Sequence, residues 1–255
     1  MTGSAEPHAI ASAQITGART NQEDALAVQV LAAGVHAGEV LLVLADGMGG
    51  HSGGELASRL VVDQFCKAYA NSPANLPGEL RSSLDSANER LADAVAEAPR
   101  LRGMGTTLVG CVVREGRLYW ISVGDSPLWL CRSGALQRLN ADHSMVPLLN
   151  DMVRTGLLDR EAAMADVRRS LLRSAVAGKS IDLVDLCPEP VILQAGDIVV
   201  LASDGVETLA EEQLATVLHN PHELPLQQLA ANLMAAIEAV GKLGQDNASV
   251  ILYRY

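Results

Sequence analysis

Apolar residues fall in two rhythms along this chain. Short unbroken runs end at glycine or acidic residues, and between them lie longer stretches whose apolar residues recur every three or four positions. The first rhythm predicts buried strands and the second amphipathic helices. Strands are predicted over 10–16 and 24–31, joined by a polar turn, and over 39–45 (EVLLVLA). The length of that third run and its abrupt stop at Asp46-Gly47 favour a strand over a helix. Two helices follow. Over 55–70, Leu56, Leu60, Val61, Phe65 and Ala68 share a face; over 78–98, Leu80, Leu84, Ala87, Leu91 and Val95 form a stripe. Pro99 stops the second helix.

Three more strands are predicted over 106–113, 117–123 and 127–132, separated by Glu115-Gly116 and Gly124-Asp125-Ser126, breaks short enough for hairpins. Residues 145–176 turn polar and helical and read as a flap insertion. Strands return at 190–194 and 197–203, two helices span 210–219 and 225–241, and a last strand covers 248–254. The order is strands, two helices, strands, helical insert, strands, two helices, strand. The predicted class is α+β, a four-layer αββα sandwich. Two mainly antiparallel sheets packed face to face, with helix pairs outside, bury every amphipathic stripe. No repeat or linker divides the chain, so one domain is expected over 1–255.

Composition narrows the function. Of 255 residues, 30 are acidic and 19 basic, a formal charge of −11 that disfavours nucleic acid as a partner. With one phenylalanine, the core must be built from Ala, Val, Leu and Ile. Cys66, Cys111, Cys131 and Cys187 show no CxxC spacing and read as buried reduced thiols. The start of the sequence has no basic segment followed by an apolar run, and no apolar run approaches the roughly 20 residues a membrane helix needs. A soluble, cytoplasmic protein without a membrane partner is expected.

The acidic residues sit at telling places. Asp46 and Asp204 each follow an apolar run as Asp-Gly, Asp246 directly precedes one, and Glu23-Asp24 opens another. A single Asp-Gly at a strand end is an ordinary turn. Several carboxylates at strand ends, if the ends converge, repel one another and resist burial, and a divalent cation removes both penalties. Oxygen donors without a His or Cys partner suit Mg²⁺ or Mn²⁺ rather than zinc. The glycine string through Gly47, Gly49 and Gly50 lets backbone approach a ligand, and Arg19 has the planar fork that clamps phosphate.

Seven short strings occur in order: Arg19-x-Asn21-x-Glu23-Asp24, Asp46-Gly-Met-Gly-Gly-His51, Gly105-Thr106-Thr107, Gly124-Asp125-Ser126, Asp142-His143-Ser144, Ser203-Asp204-Gly205 and Asp246-Asn247. Together they resemble the metal-dependent PPM, or PP2C-type, serine/threonine protein phosphatases, their bacterial branch in particular. The resemblance implies two core Mn²⁺ or Mg²⁺ ions and a third, weaker one. Asp46 would bridge two metals and the Gly47 carbonyl would ligate the first. Asp204 and Asp246 would ligate the second, reached also by Glu23, and Asp125 would help form the third site. Asp24 would orient metal-bound water, and Arg19 would bind the substrate phosphate. The implied partners are phosphorylated proteins, targets of a Ser/Thr kinase.

Two departures stand out. Met48 occupies a position where eukaryotic relatives carry His, which leaves the leaving-group acid open, with His51 a further candidate. Pro127 follows Ser126 where the family usually has Arg. Two other functions compete: the same fold used as an inactive regulatory binding module, and a phosphatase of a different phospho-substrate. Retention of every expected carboxylate argues against the first.

Overall fold

The computed structural model describes residues 9–49, 53–73, 76–219 and 224–255. Twelve strands and six helices are described: β1 (Ala9–Ile15), β2 (Asp24–Val30), β3 (Val40–Met48), α1 (Gly53–Ala70), α2 (Gly78–Glu97), β4 (Gly105–Thr106), β5 (Leu108–Arg114), β6 (Arg117–Val123), β7 (Leu128–Arg132), β8 (Ala135–Arg138), α3 (Val146–Arg154), α4 (Arg160–Ala165), β9 (Asp185–Leu186), β10 (Val191–Ile192), β11 (Ile198–Ala202), α5 (Glu211–Leu218), α6 (Leu226–Val240) and β12 (Ala248–Arg254). One sheet runs β1-β12-β11-β7-β8. The other runs β10-β6-β5-β3-β2, with β4 on β3 and β9 on β6. All pairings are antiparallel.

Alternation along the strands builds three apolar layers. In β3, Leu41, Val43 and Ala45 face α1 and α2, while Val40, Leu42 and Leu44 join the layer between the sheets. In β12, Ala248, Val250 and Leu252 pack under α5 and α6, while Ile251 and Tyr253 point to the other sheet. A strand buried on both faces favours apolar residues at nearly every position, which is why the run of β3 from Val40 to Ala45 is unbroken and that of β12 is interrupted only by the hydrogen-bonded Ser249 before its last residues. The four-layer expectation is met. The four cysteines are free and buried.

Some local expectations change. β3 does not stop at Asp46; it continues to Met48 because Gly47 and Met48 pair with Thr106 and Gly105 of β4. The strand predicted over 106–113 breaks at Thr107 for the same reason, its first residues pairing with the end of β3 while Leu108 onward joins the main sheet. The buried face of α1 centres on Ala57, Val61, Phe65 and Tyr69; Leu56 and Leu60 lie at its margin and Ala68 is half-buried. Of the segment 145–176, only α3 and α4 are helical. The rest is irregular and runs back to the strand ends through bridges Ser144–Leu172 and Thr106–Val176.

At the end of the sandwich where β3 begins, an ionic cluster lies under α1 and α2. Glu39 and Glu79 are both buried. Arg114 donates to Glu39 Oε1 at 2.5 Å and to Glu79 Oε2 at 2.9 Å, and the Tyr69 hydroxyl donates to Glu39 Oε2 at 2.6 Å. His36 Nδ1 lies 3.2 Å from Glu39 Oε2 and its Nε2 lies 3.0 Å from the Ser72 carbonyl. Each buried carboxylate there has a cationic or hydroxyl partner.

Candidate metal centre

The opposite end of the sandwich gathers the acidic residues. Arg19 and Glu23 lie in the β1–β2 connection, Asp24 opens β2, and Asp46 stands directly across from it on β3. Asp125 lies in the turn between β6 and β7, Asp204 just after β11, and Asp246 just before β12. Arg19, Glu23, Asp46, Gly47, Asp125, Asp204 and Asp246 line one cavity of about 540 Å³, together with Ser170, Leu171 and Leu172 of the segment after α4. Both sheets therefore contribute carboxylates to one space, and residues far apart in the chain meet there. Gly50 and His51 lie outside the described residues.

Backbone approach is part of the design. A Cβ at Gly54, in the first turn of α1, would lie 2.8 Å from Glu23 Oε2 and 2.9 Å from the Gly47 carbonyl carbon. A Cβ at Gly205 would collide with the Asn247 carbonyl oxygen, so the Asp204 turn can lie against the Asp246 strand end only with glycine there.

Hydrogen bonds fix the acidic loops. Asn247 Oδ1 accepts from the Glu23 N–H at 2.7 Å, and its Nδ2 donates to the carbonyls of Thr16 and Asn21 at 2.8 and 3.0 Å. This one amide ties the β1–β2 connection to the start of β12. The Asp46 N–H donates to Thr107 Oγ1 at 2.9 Å, and Thr106 Oγ1 donates to the Asp46 carbonyl at 2.7 Å. Thr107 Oγ1 also lies 2.7 Å from Ser126 Oγ, which joins Asp46 to the Asp125 turn. Arg138 of β8 donates to the Asp125 carbonyl at 2.6 Å and to Glu207 at 3.3 Å, bracing the turn that leads into Pro127. Asn247, Thr106, Thr107 and Ser126 lie within the seven short strings, and their role is visible only in these contacts; Arg138 lies outside all seven.

Electrostatics set this cluster apart. Burial, then the charges of Asp24, Asp204, Asp125 and Asp246, push the Asp46 carboxyl well above the ordinary carboxylate range. Burial and Asp204 raise Asp125 to about 7. Burial raises Asp24 to about 6 against the lowering effect of two serine hydroxyls, with Asp204 and Asp246 adding to the rise. Asp204 is raised by burial and Asp246, while a hydrogen bond with the Asp46 carboxyl and the Lys242 and Arg19 charges oppose it. Glu23 is raised by burial and lowered by Arg19. The cation at hand is Arg19, which donates to Asp246 Oδ2 at 2.5 Å, with both side chains well exposed. The fork predicted to grip phosphate thus rests on a carboxylate, its nearest opposite charge.

The residues present suit a hard divalent cation. The donors are carboxylate and carbonyl oxygens, their like charges converge, and Asp24 Oδ1 is buried with no hydrogen-bond partner among the described residues. The groups line the cavity wall; among the described residues no three His, Cys, Asp or Glu side chains close around a single point.

Known proteins give the same picture. The pattern of the family described as "Protein phosphatase 2C" matches residues 16–243. The serine/threonine protein phosphatase PstP of Mycobacterium tuberculosis is 33% identical over 240 residues, covering 92% of this chain and 42% of PstP, so the chain spans less than half of that relative. The serine/threonine phosphatase stp of Listeria welshimeri is 30% identical over 218 residues, 83% of each chain. A crystal structure of the catalytic domain of PstP in complex with two manganese ions superposes with a TM-score of 0.76 at 29% identity, covering 97% of both chains. Fold, acidic cavity and relatives agree: the chain belongs to the protein phosphatase 2C family.

Proposed function

We propose that this protein removes phosphate from phosphoserine and phosphothreonine in proteins, with Mn²⁺ or Mg²⁺ as cofactor. The observation that carries this reading is the convergence of Glu23, Asp46, Asp125, Asp204 and Asp246 with Arg19 on one cavity, in a chain of this family. Asp46, Asp204 and Asp246 would hold the core ions with the Gly47 carbonyl and Glu23, and Asp125 would serve a third. When bound, such ions lower the pKa of a water to near neutrality and clamp a phosphoryl group for in-line attack.

The chain's own residues do the rest. Arg19, exposed at the rim, can leave Asp246 for the equatorial phosphoryl oxygens, where a planar fork stabilises the charge that spreads in the transition state. Asp24 offers Oδ1 as an acceptor that holds the attacking water in line. Asp46 gathers the charge of its four acidic neighbours and is the group on which cation affinity most depends. No covalent phosphoenzyme is needed. Ser170, Leu171 and Leu172 form the wall on the side of α3 and α4, which we take as the flap that meets the substrate chain.

The partners in this reading are cytoplasmic phosphoproteins, substrates of an opposing Ser/Thr kinase; among the described residues no helix is long and apolar enough to cross a membrane. Purified protein should hydrolyse p-nitrophenyl phosphate and a phosphothreonine peptide with Mn²⁺ or Mg²⁺ and neither with EDTA. Metal-independent turnover would refute the mechanism, inactivity with every divalent ion would favour a binding module, and turnover of the small ester alone would favour a different phospho-substrate.

A further inference from the structure

Asp24 is held from behind by residues of the other sheet. Ser249 Oγ of β12 donates to Asp24 Oδ2 at 2.5 Å, and Ser203 Oγ, at the end of β11, donates to the same oxygen at 2.8 Å. Both serines are fully buried. The direction of each hydrogen is fixed by what else the hydroxyls do. Ser249 Oγ accepts from Gln14 Nε2 at 2.9 Å, and Ser203 Oγ accepts from the Ser249 N–H at 3.0 Å. With those donors already aimed at them, each hydroxyl turns its own hydrogen to Asp24. Oδ2 is thus a double acceptor. Oδ1 is buried, lacks a partner among the described residues, and belongs to the carboxyl whose charge bears most on Asp46.

We propose that Ser203 and Ser249 are positioning residues for hydrolysis: they pin Asp24 by Oδ2 alone, across the seam between the sheets, so that Oδ1 is reserved for the water beside Asp46. The arrangement fixes the carboxylate directly across from the cavity-lining Asp46 without using the oxygen that chemistry needs, and it makes the packing of the two sheets a determinant of turnover. A pair of serines that only solvated a buried acid would have no reason to share one oxygen and leave the other bare. This inference rests on the phosphatase reading above.

The test is a double-mutant cycle on the full chain, read by kcat and KM for p-nitrophenyl phosphate, by Mn²⁺ affinity from titration calorimetry, and by metal-free melting temperature. Ser249→Ala and Ser203→Ala should each lower kcat about tenfold and weaken Mn²⁺ binding about threefold, with KM changed less than about twofold, because a misaimed group loses transition-state geometry rather than substrate binding. In an Asp24→Ala background neither serine change should cost anything further, since both act through Asp24. Should Ser249→Ala fail to fold, Gln14→Ala removes the donor that orients the Ser249 hydroxyl, together with a contact to the Asp24 carbonyl, and should lower kcat about threefold. Folded serine variants with wild-type kcat and Mn²⁺ affinity, or losses that multiply onto Asp24→Ala, would overturn the proposal. An inactive wild-type chain would count against the phosphatase reading instead, and the Mn²⁺ affinities would then decide the serines' role by themselves.

Discussion

Both ends of this sandwich bury acidic side chains, and they do it in opposite ways. At the end where β3 begins, Glu39 and Glu79 are matched by Arg114, Tyr69 and His36. At the other end, five acids converge on a cavity whose cation at hand is the well-exposed Arg19. The paired cluster satisfies itself and joins α1 and α2 to the sheet edge. The converging cluster leaves charge unbalanced, and Asp24 across from Asp46 keeps one carboxylate oxygen bare, a cost that persists only where something from solution is to be bound. Burial of an acid is therefore no sign of function; lack of a partner is.

The comparison can be broken most sharply at Asp46. Asp46→Ala or Asp204→Ala should lower kcat by about 10³-fold or more, as expected for loss of a metal-held nucleophile, while leaving the metal-free melting temperature unchanged or raised, because a repelling charge has gone. Steady-state assay beside calorimetric melting checks both halves. At the far end the pattern should invert. Glu39→Ala leaves Arg114 with Glu79 alone and takes the acceptor from the buried Tyr69 hydroxyl and His36, and should cost about 3 kcal/mol of stability, roughly a 10 °C fall in melting temperature for a chain this size, with kcat per folded molecule unchanged. A loss of activity at Glu39 without a loss of stability would erase the distinction.

Arg19→Ala should raise KM for a phosphothreonine peptide about tenfold, the worth of one charge-assisted contact with phosphate, and melting should move little because the Arg19–Asp246 pair is well exposed. An unchanged KM would remove Arg19 from the substrate site.

The smallest effect is with pH. Asp24 and Asp125 are raised by burial to about 6 and about 7, and Asp46, Asp204 and Glu23 are raised too. Between the ordinary carboxylate range near 4 and about 7, the folded metal-free chain binds more protons at these groups than the unfolded chain, so their contribution to stability falls as pH rises through that window. The metal-free melting temperature should drop by a few degrees between about pH 5 and pH 7.5, and saturating Mn²⁺ should flatten the trend. A metal-free protein that grows steadily more stable across that range would contradict the clustered charges.

The two ends were unequally legible in the sequence. The ends of the apolar runs at Asp46 and Asp204, and the start of one after Asp246, were legible as sites for converging carboxylates, although β3 itself continues past Asp46 to Met48. The layers followed from runs such as that of β3, apolar at every position because both faces are covered. Pairing was not legible. β3 outruns its apolar segment because β4 is there to receive it, and short strands such as β8 and β9 are defined by their neighbours rather than by their own residues. The holding groups of the site were also silent. Ser249 is one polar letter in a mainly apolar strand, and its partner Asp24 lies 225 positions away. Asn247 and Thr107 likewise act through contacts that no local spacing encodes. Periodicity reports which face is buried, and says nothing of which hydroxyl meets which acid.

Anomalous diffraction from crystals grown with Mn²⁺ tests the central claim most directly. The account predicts manganese in the cavity between the sheet ends, bonded to carboxylate oxygens of Asp46, Asp204 and Asp246. Manganese bound only elsewhere, or none in that cavity at saturating concentration, would contradict it.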